Sequence, residues 1–413
     1  MSPETNRIII VGGGAAGFFS AIHNKQNNPD SSVIIIEKSP EVLAKVKISG
    51  GGRCNVTHAC FEPKKLCEHY PRGAKELLGP FHHFQPQDTI DWFESHGVPL
   101  KIEVDNRVFP QSDSSQSIID CLVKTASELG IKLWTQCHVT HIEKNGTEFH
   151  LSLADRDIVI CDKLVLATGS SRVGHGFAES LGHTIVPPIP SLFTFKINDK
   201  SLHALSGLAV EKAQVWIAGQ KKAMQQGPVL VTHWGMSGPG IIKLSAWQAV
   251  LLHEQAYKVP LSVNWLPRYE GRLLAFLTQF QVQNPKKTIA KHSPFSEIPH
   301  RLWEYLAFKA GVSMEQTWNQ LNSKQLDRLE QELNHSEYSV EGKGVFKEEF
   351  VNCGGVNLKE IHFKTMESKC CSGLHVIGEL LNIDGITGGF NFQNAWTTGY
   401  LSGGEIIRDS IGR

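Results

Sequence analysis

The sequence predicts an α/β fold with a central parallel sheet, interrupted by a β-rich insert and by a small helical insert. Short continuous runs of β-branched residues alternate with helical patterns, as is typical of strands buried on both faces of a sheet. The chain opens with a strand–helix–strand unit. Its 413 residues are 41% hydrophobic and 20% charged, which are the values of a globular protein.

The elements follow from these patterns in chain order. Residues 7–11 and 32–37 are apolar runs that predict buried strands, and a helix over 14–25 joins them. Helical spacing of apolar residues and then short β-branched runs predict the next elements. These are helices near 73–80, 86–96 and 114–129, strands near 131–135, 138–144, 147–153 and 157–160, and a strand over 163–169.

A proline-rich joint divides the chain. Pro187, Pro188 and Pro190 disfavour regular structure and predict a domain boundary. Short strands are expected after it, then helices from about 270 to 334, and a final helix from about 396 to 407. The predicted domains are 1–188 for the first part of the main α/β domain, 189–268 with 335–348 for the β-rich insert, 269–334 for the helical insert and 349–413 for the C-terminal part of the main domain.

Charge and cysteine content limit the classes of partner. Lysine plus arginine and aspartate plus glutamate are both 41, so the net charge is zero. A balanced chain gives no global reason to bind nucleic acid or an anionic membrane, and we expect a small-molecule substrate. The nine cysteines show no zinc-site spacing, so no metal site is expected. The N-terminus does not read as a signal peptide and no apolar stretch is long enough to span a bilayer, which together predict a cytoplasmic protein.

The first motif is Gly12-x-Gly14-x-x-Gly17, directly after a strand and at the start of a helix that begins with Ala15 and Ala16. Gly12 permits a tight turn, Gly14 lets a pyrophosphate approach the backbone, and Gly17 lets the helix pack against the sheet. Glu37 ends the second strand and can accept hydrogen bonds from ribose hydroxyls. The pattern predicts a dinucleotide site and leaves FAD and NAD(P) open.

A second glycine cluster occupies residues 47–57. Ser49, Gly50 and Gly51 expose backbone N–H groups, and Arg53 can pair with a phosphate. Asn55 completes the candidate binding residues of this segment.

The third segment, residues 378–396, returns after a strand and precedes the last helix. Asp384 is expected to bond the ribityl chain of a flavin, and Gly388 and Gly389 allow close backbone approach. The next helix would point its N-terminus at the pyrimidine end of the ring, where reduction adds negative charge. The other candidate contacts in this segment are Gly378, Glu379, Asn391 and Phe392.

These segments together resemble the bacterial NAD(P)/FAD-dependent oxidoreductases labelled the aminoacetone oxidase family or BaiN-like (3-dehydro-bile-acid reductase-like) flavoproteins. The resemblance rests on residues 11–17, 49–55, 166–169, 232–239, 354–356 and 378–396. It implies a glutathione-reductase-type FAD domain of the Rossmann kind, a β-barrel-like insert and a helical insert. It adds to the FAD contacts Lys38, Val139, Ala167, Thr168 and Gly169. Where the family has Gly-Arg-Lys before the serine–glycine loop, this chain has Leu43, Ala44 and Lys45.

The resulting functional prediction is an FAD-dependent oxidoreductase, reduced by NAD(P)H as a transient co-substrate and passing a hydride to or from a small organic molecule at flavin N5. No side chain stands out as the catalytic acid or base. Two alternatives remain open: a flavin-dependent RNA-modifying enzyme, and a non-enzymatic FAD-bound sensor.

Overall fold

The computed structural model describes residues 6–344 and 351–404, and the chain divides into two compact units. The first unit comprises Met1–Pro188 and Asn352–Arg413, and the second comprises Ile189–Val351. The chain therefore leaves the first unit once and returns to it once.

The strands are numbered in chain order: β1 Arg7–Val11, β2 Ser32–Ile36, β3 Thr57–His58, β4 Leu100–Ile102, β5 Arg107–Pro110, β6 Lys132–Trp134, β7 Val139–Asn145, β8 Glu148–Leu153, β9 Arg156–Cys161, β10 Lys163–Leu166, β11 Ile185–Ser191, β12 Phe195–Ile197, β13 Ala209–Ile217, β14 Gln225–Thr232, β15 Gly235–Ser237, β16 Val259–Asn264, β17 Ser336–Lys343, β18 Val351–Val356, β19 Ile361–His362, β20 Glu367–Ser368 and β21 Leu374–Val376.

The helices are α1 Ala15–Asn27, α2 Ala44–Gly52, α3 Pro63–Cys67, α4 Ala74–His83, α5 Pro86–Ser95, α6 Gln116–Glu128, α7 Arg172–Ser180, α8 Lys200–His203, α9 Pro239–Trp247, α10 Ala249–Glu254, α11 Leu273–Gln283, α12 His300–Lys309, α13 Ser323–Asn334 and α14 Phe390–Ser402. Within the described residues, no helix is both long enough and apolar enough to cross a bilayer.

The first unit is built on a sheet whose described strands lie in the order β19-β20-β21-β10-β1-β2-β6. The five strands from β21 to β6 are parallel, and β1 pairs with β10 on one side and β2 on the other. Ile8, Ile9 and Ile10 are at most 1% exposed, because a parallel sheet is buried on both faces. α1 and α14 pack against each other, with the rings of Phe19 and Trp396 5.3 Å apart.

The second unit contains a closed antiparallel barrel of the described strands β12-β15-β14-β13-β16-β17. Its alternating apolar residues form one core with the helices α11, α12 and α13. The large buried side chains of that core include Trp265, Trp303 and Trp318. The mixed α/β class and the barrel expected from the resemblance are thus confirmed.

Two elements differ from the sequence prediction. The proline-rich joint is an extended strand, β11, and it pairs only with β18 in the described chain. Prolines fit an edge strand because a missing N–H costs nothing on the unpaired side. The last helix begins at Phe390, six residues before the predicted start, and the predicted end at 407 lies outside the described residues.

Candidate dinucleotide site

The carboxyl ends of β1, β2 and β10 face one cavity of about 440 Å³ in the first unit. Open α/β sheets place their ligands at this edge, and the volume falls in the range of small-molecule sites. Fourteen of the predicted site residues line it: Gly12, Gly14, Ala15, Ala16, Glu37, Lys38, Val139, Ala167, Thr168, Gly169, Gly378, Glu379, Asn391 and Phe392.

The glycine turn has the geometry that the motif predicts. Gly12 has φ +114°, and a Cβ there would lie 2.4 Å from the Ala167 carbonyl oxygen. A Cβ on Gly17 would lie 2.0 Å from the Gly12 carbonyl oxygen. Gly17 is therefore a packing residue beneath the turn and does not line the cavity.

The N-terminus of α1 is open to the cavity. A Cβ built on Gly14 meets no heavy atom of the described chain within 4 Å. Gly14 is the N-cap residue, and among the described residues no side chain caps the first turn and no acidic residue stands in it. The free N–H groups and the positive end of the helix dipole are therefore available to an anionic group such as a pyrophosphate.

Glu37 is fixed at the end of β2 by two backbone donors. The N–H groups of Gly13 and Ser39 donate to its two carboxylate oxygens at 2.8 and 2.9 Å. Each oxygen keeps a second lone pair for a hydroxyl of a ligand.

Thr168 and Gly169 form the turn after β10. The Thr168 Oγ1 atom is buried and has no hydrogen-bond partner in the described part of the chain. A Cβ built on Gly174 would lie 1.7 Å from this atom, so the Thr168 hydroxyl is packed against α7. Helix α7 starts just beyond, where the Ser171 side chain accepts from the Gly174 N–H at 3.0 Å.

The second glycine cluster supports the site from outside the cavity. The backbone leaves helical angles at Ser49, Gly50 and Gly51. In the orientation that satisfies both ends of its amide, Asn55 donates to the Thr57 carbonyl and accepts from the Gly389 N–H at 3.0 Å. The structure thus brings together the second and third predicted segments, but none of these residues lines the cavity.

Arg53 is not placed to meet a phosphate. Its guanidinium donates to Glu103 at 2.7 Å and to Asp113 at 3.3 Å, and it lies 4.0 Å from the centroid of the Phe109 ring. Arg53 therefore forms ion pairs in place of the expected phosphate contact. Its partners Glu103 and Asp113 lie 50 and 60 residues further along the chain.

Asp384 is also turned away from the cavity. Its side chain is 0% exposed and forms an ion pair with Arg72, which donates to both carboxylate oxygens. The expected ribityl contact is not supported by this position. Gly388, like Gly389, packs on the β3 region, with its built Cβ 3.5 Å from the His58 ring.

Glu379 and Asn391 line the cavity with their polar groups already engaged. Glu379 forms an ion pair with Lys45, the residue retained from the family pattern. The Asn391 amide bonds both the N–H and the carbonyl of Gly385, at 2.8 and 2.9 Å. Asn391 therefore shapes the third segment and offers the cavity little free polar capacity.

Cys54, inside the second cluster, is 0% exposed. Burial raises the pKa of its thiol to about 12. It is protonated at neutral pH and unsuited to redox chemistry.

Several lining residues carry no sequence signal. Cys137 and His138 precede β7, and Val173 and Phe177 belong to α7. The only feature of the sequence that indicates a helix at this edge is Ser171, a residue type that is preferred at the N-cap of a helix.

The sequence matches a known protein family over almost its whole length. The family model described as the HI0933-like protein Rossmann domain matches residues 6–405. The chain belongs to this family. It is a family of FAD-binding flavoprotein oxidoreductases, so the resemblance found in the sequence is confirmed.

Two curated relatives and one solved structure illustrate the similarity. The ribosomal RNA dihydrouridine synthase of Escherichia coli is 29% identical over 91% of this chain and 92% of its own length. The 3-dehydro-bile acid delta(4,6)-reductase of Clostridium scindens is 28% identical over 90% and 91%. A 3-ketosteroid-delta4-(5alpha)-dehydrogenase from Rhodococcus jostii has a TM-score of 0.50 at 12% identity, over 98% of this chain and 99% of that one, which shows a shared fold.

FAD fits the cavity on two features of the chain itself. The uncapped α1 N-terminus suits a pyrophosphate, and Gly14 leaves space beside it.

Proposed function

We propose that this protein is an FAD-dependent reductase of a carbon–carbon double bond conjugated to a carbonyl group. The observation that carries the proposal is a dinucleotide-type cavity in a chain two of whose relatives have names that fit one reaction type. One relative is named for making dihydrouridine and the other for reducing the delta(4,6) bonds of a 3-dehydro bile acid. Both names describe hydrogen added across ring double bonds that a carbonyl group can activate.

The first unit would bind the cofactor at the carboxyl ends of the parallel strands. The α1 N-terminus and Gly14 would receive the pyrophosphate, and Glu37 would accept from the adenosine ribose. The N-terminus of α14, which brings Asn391 and Phe392 to the cavity, has no acidic residue in its first turn. Its dipole would favour negative charge at that end of the cavity. The bound flavin would supply hydride transfer between NAD(P)H and the substrate.

Glu37→Ala is expected to lower FAD affinity about tenfold to a hundredfold, or ~1.5–3 kcal/mol, because a charge-assisted ribose contact is lost. The Gly13 and Ser39 N–H groups also lose their acceptor. Fluorescence titration of the apoprotein with FAD measures the change. Glu41→Ala is the matched control, since Glu41 also lines the cavity but pairs with Lys47 at 2.9 Å. An unchanged dissociation constant for Glu37→Ala would place the carboxylate away from the ribose.

Two substrate classes satisfy the proposed chemistry. A small conjugated ketone matches the bile acid reductase, and we take it as the first candidate. A uridine in ribosomal RNA is the second, favoured by two relatives of that name, including one from Haemophilus influenzae at 28% identity. Although the net charge is zero, Lys286, Lys287 and Lys291 are exposed between α11 and α12 and offer a local cationic surface.

Anaerobic reduction and reoxidation test the function. We expect NADH or NADPH to bleach the flavin absorbance in stopped-flow mixing, and a 3-oxo-4-ene steroid to restore it. The saturated 3-oxo steroid, which lacks the double bond, is the matched control and should leave the flavin reduced. A uridine-containing ribosomal RNA fragment is tested beside them, with a gain of two hydrogens read by mass spectrometry. If the flavin is reduced but neither the steroid nor the RNA fragment reoxidises it, the result counts against the proposal. If neither NADH nor NADPH reduces the flavin, the result favours the sensor alternative.

A further inference from the structure

Three metal-ligating side chains converge at the β19–β20 edge of the first unit, outside the candidate dinucleotide site. His183 lies in the turn after α7, Glu360 ends the 3₁₀ turn Leu358–Glu360, and Cys370 follows β20. One ligand atom from each lies within 4.8 Å of the other two. His183 is 177 residues from Glu360 in the chain, whereas Cys370 follows Glu360 in the same part of the sequence.

Backbone hydrogen bonds hold these segments together. The Thr184 N–H donates to Glu360 Oε2 at 2.9 Å, and the Lys369 N–H donates to the Glu360 carbonyl at 2.8 Å. The Cys370 N–H donates to the Ser368 hydroxyl at 3.0 Å. The ligand positions are therefore fixed by the fold before any ion binds, which lowers the cost of binding.

His183 is the buried ligand of the group. Its side chain is 0% exposed, and its Nδ1 lies 3.0 Å from Glu360 Oε2. Nδ1 is therefore the ring nitrogen that faces the carboxylate, and a neutral imidazole can bind a metal through Nδ1.

We propose that His183, Glu360 and Cys370 form a site for a thiophilic divalent cation, with Zn²⁺ as the ion that the ligands favour. Thiolate, imidazole and carboxylate are the ligand types of zinc sites, and three protein ligands leave a fourth position for water. The expectation of no metal site rested on spacing between cysteines, and that spacing cannot detect ligands of three different types.

Proton release accompanies binding. An ordinary cysteine thiol is mostly protonated at neutral pH, whereas the thiolate is the form that binds a metal. When Zn²⁺ binds, the sulfur–zinc bond replaces the sulfur–hydrogen bond and the proton passes to solvent. The site would also tie down the end of α7, whose Val173 and Phe177 line the cavity.

The test is titration of the purified full chain with ZnCl₂ by isothermal calorimetry, in two buffers of different ionisation enthalpy. Wild type should bind one Zn²⁺ per chain with release of protons. Cys370→Ser should weaken binding at least about a hundredfold, because a direct ligand is lost. Cys371→Ser, the adjacent thiol outside the ligand group, is the matched control and should bind as wild type does.

Alkylation provides a second readout that does not depend on any loss of folding. Cys370 is exposed and should react with iodoacetamide in the chelator-treated protein. Added ZnCl₂ should slow labelling of Cys370 about tenfold, because a coordinated thiolate is withheld from the reagent. Stoichiometric binding by wild type that survives in Cys370→Ser, or no Zn²⁺ binding by wild type, would overturn the proposal.

Discussion

Gly14→Val is expected to abolish FAD binding while the protein stays folded. Gly14 has φ −91° and ψ −172°, an extended conformation that valine adopts readily. No heavy atom of the described chain lies within 4 Å of its built Cβ, so the side chain would occupy cavity space that the cofactor needs. FAD affinity should fall at least about a hundredfold, or ~2.7 kcal/mol. Apoprotein titration with FAD, with circular dichroism for folding, measures both properties.

Two further variants separate the cavity from general effects of substituting glycine. Gly79→Val is the matched control, because Gly79 is exposed in α4 and its built Cβ also meets no described atom within 4 Å. It should bind FAD as wild type does. Gly17→Ala should fail to fold, since its Cβ would lie 2.0 Å from the Gly12 carbonyl oxygen. Normal FAD affinity in Gly14→Val would show that the cofactor does not lie against α1.

Asp384→Ala is expected to cause a large loss of stability in a protein that still folds. The Arg72–Asp384 pair is buried, with side-chain exposures of 18% and 0%. Removing the carboxylate takes away one charged partner of a largely buried guanidinium, which costs about 3–5 kcal/mol. Urea unfolding of the holoprotein should show a lower midpoint with an unchanged m-value.

The double variant Arg72→Met, Asp384→Leu is the control for charge burial. It replaces both members of the pair with apolar side chains and should recover much of the stability that Asp384→Ala loses. If Asp384→Ala loses less than about 1 kcal/mol, the ion pair does not stabilise the fold as the buried geometry indicates.

The sequence predicts those parts of the site that depend on local pattern. Gly12, Gly14 and Glu37 reach the cavity because the strand–helix–strand unit fixes their positions over about thirty residues. Residues 163–169 predict the strand that supplies Thr168 and Gly169. The parallel sheet follows from the same apolar runs.

What the sequence does not predict depends on partners distant in the chain. The sequence predicts that Asp384 contacts a ligand, but in the structure its carboxylate pairs with Arg72, which is 312 residues away. The sequence likewise predicts that Arg53 binds a phosphate, but in the structure its guanidinium pairs with Glu103 and Asp113. Phe177 of α7 enters the cavity wall through tertiary packing that helical periodicity does not encode.

The most direct test of the central claim is the flavin content of the purified protein. Heat-released cofactor from the recombinant chain should elute as FAD on liquid chromatography, at about one FAD per chain and without FMN, because the glycine turn and Glu37 are suited to an adenosine dinucleotide. If the folded protein is colourless and binds no added FAD, the cavity at the edge of the first unit's sheet is not a flavin site and the proposed function is wrong.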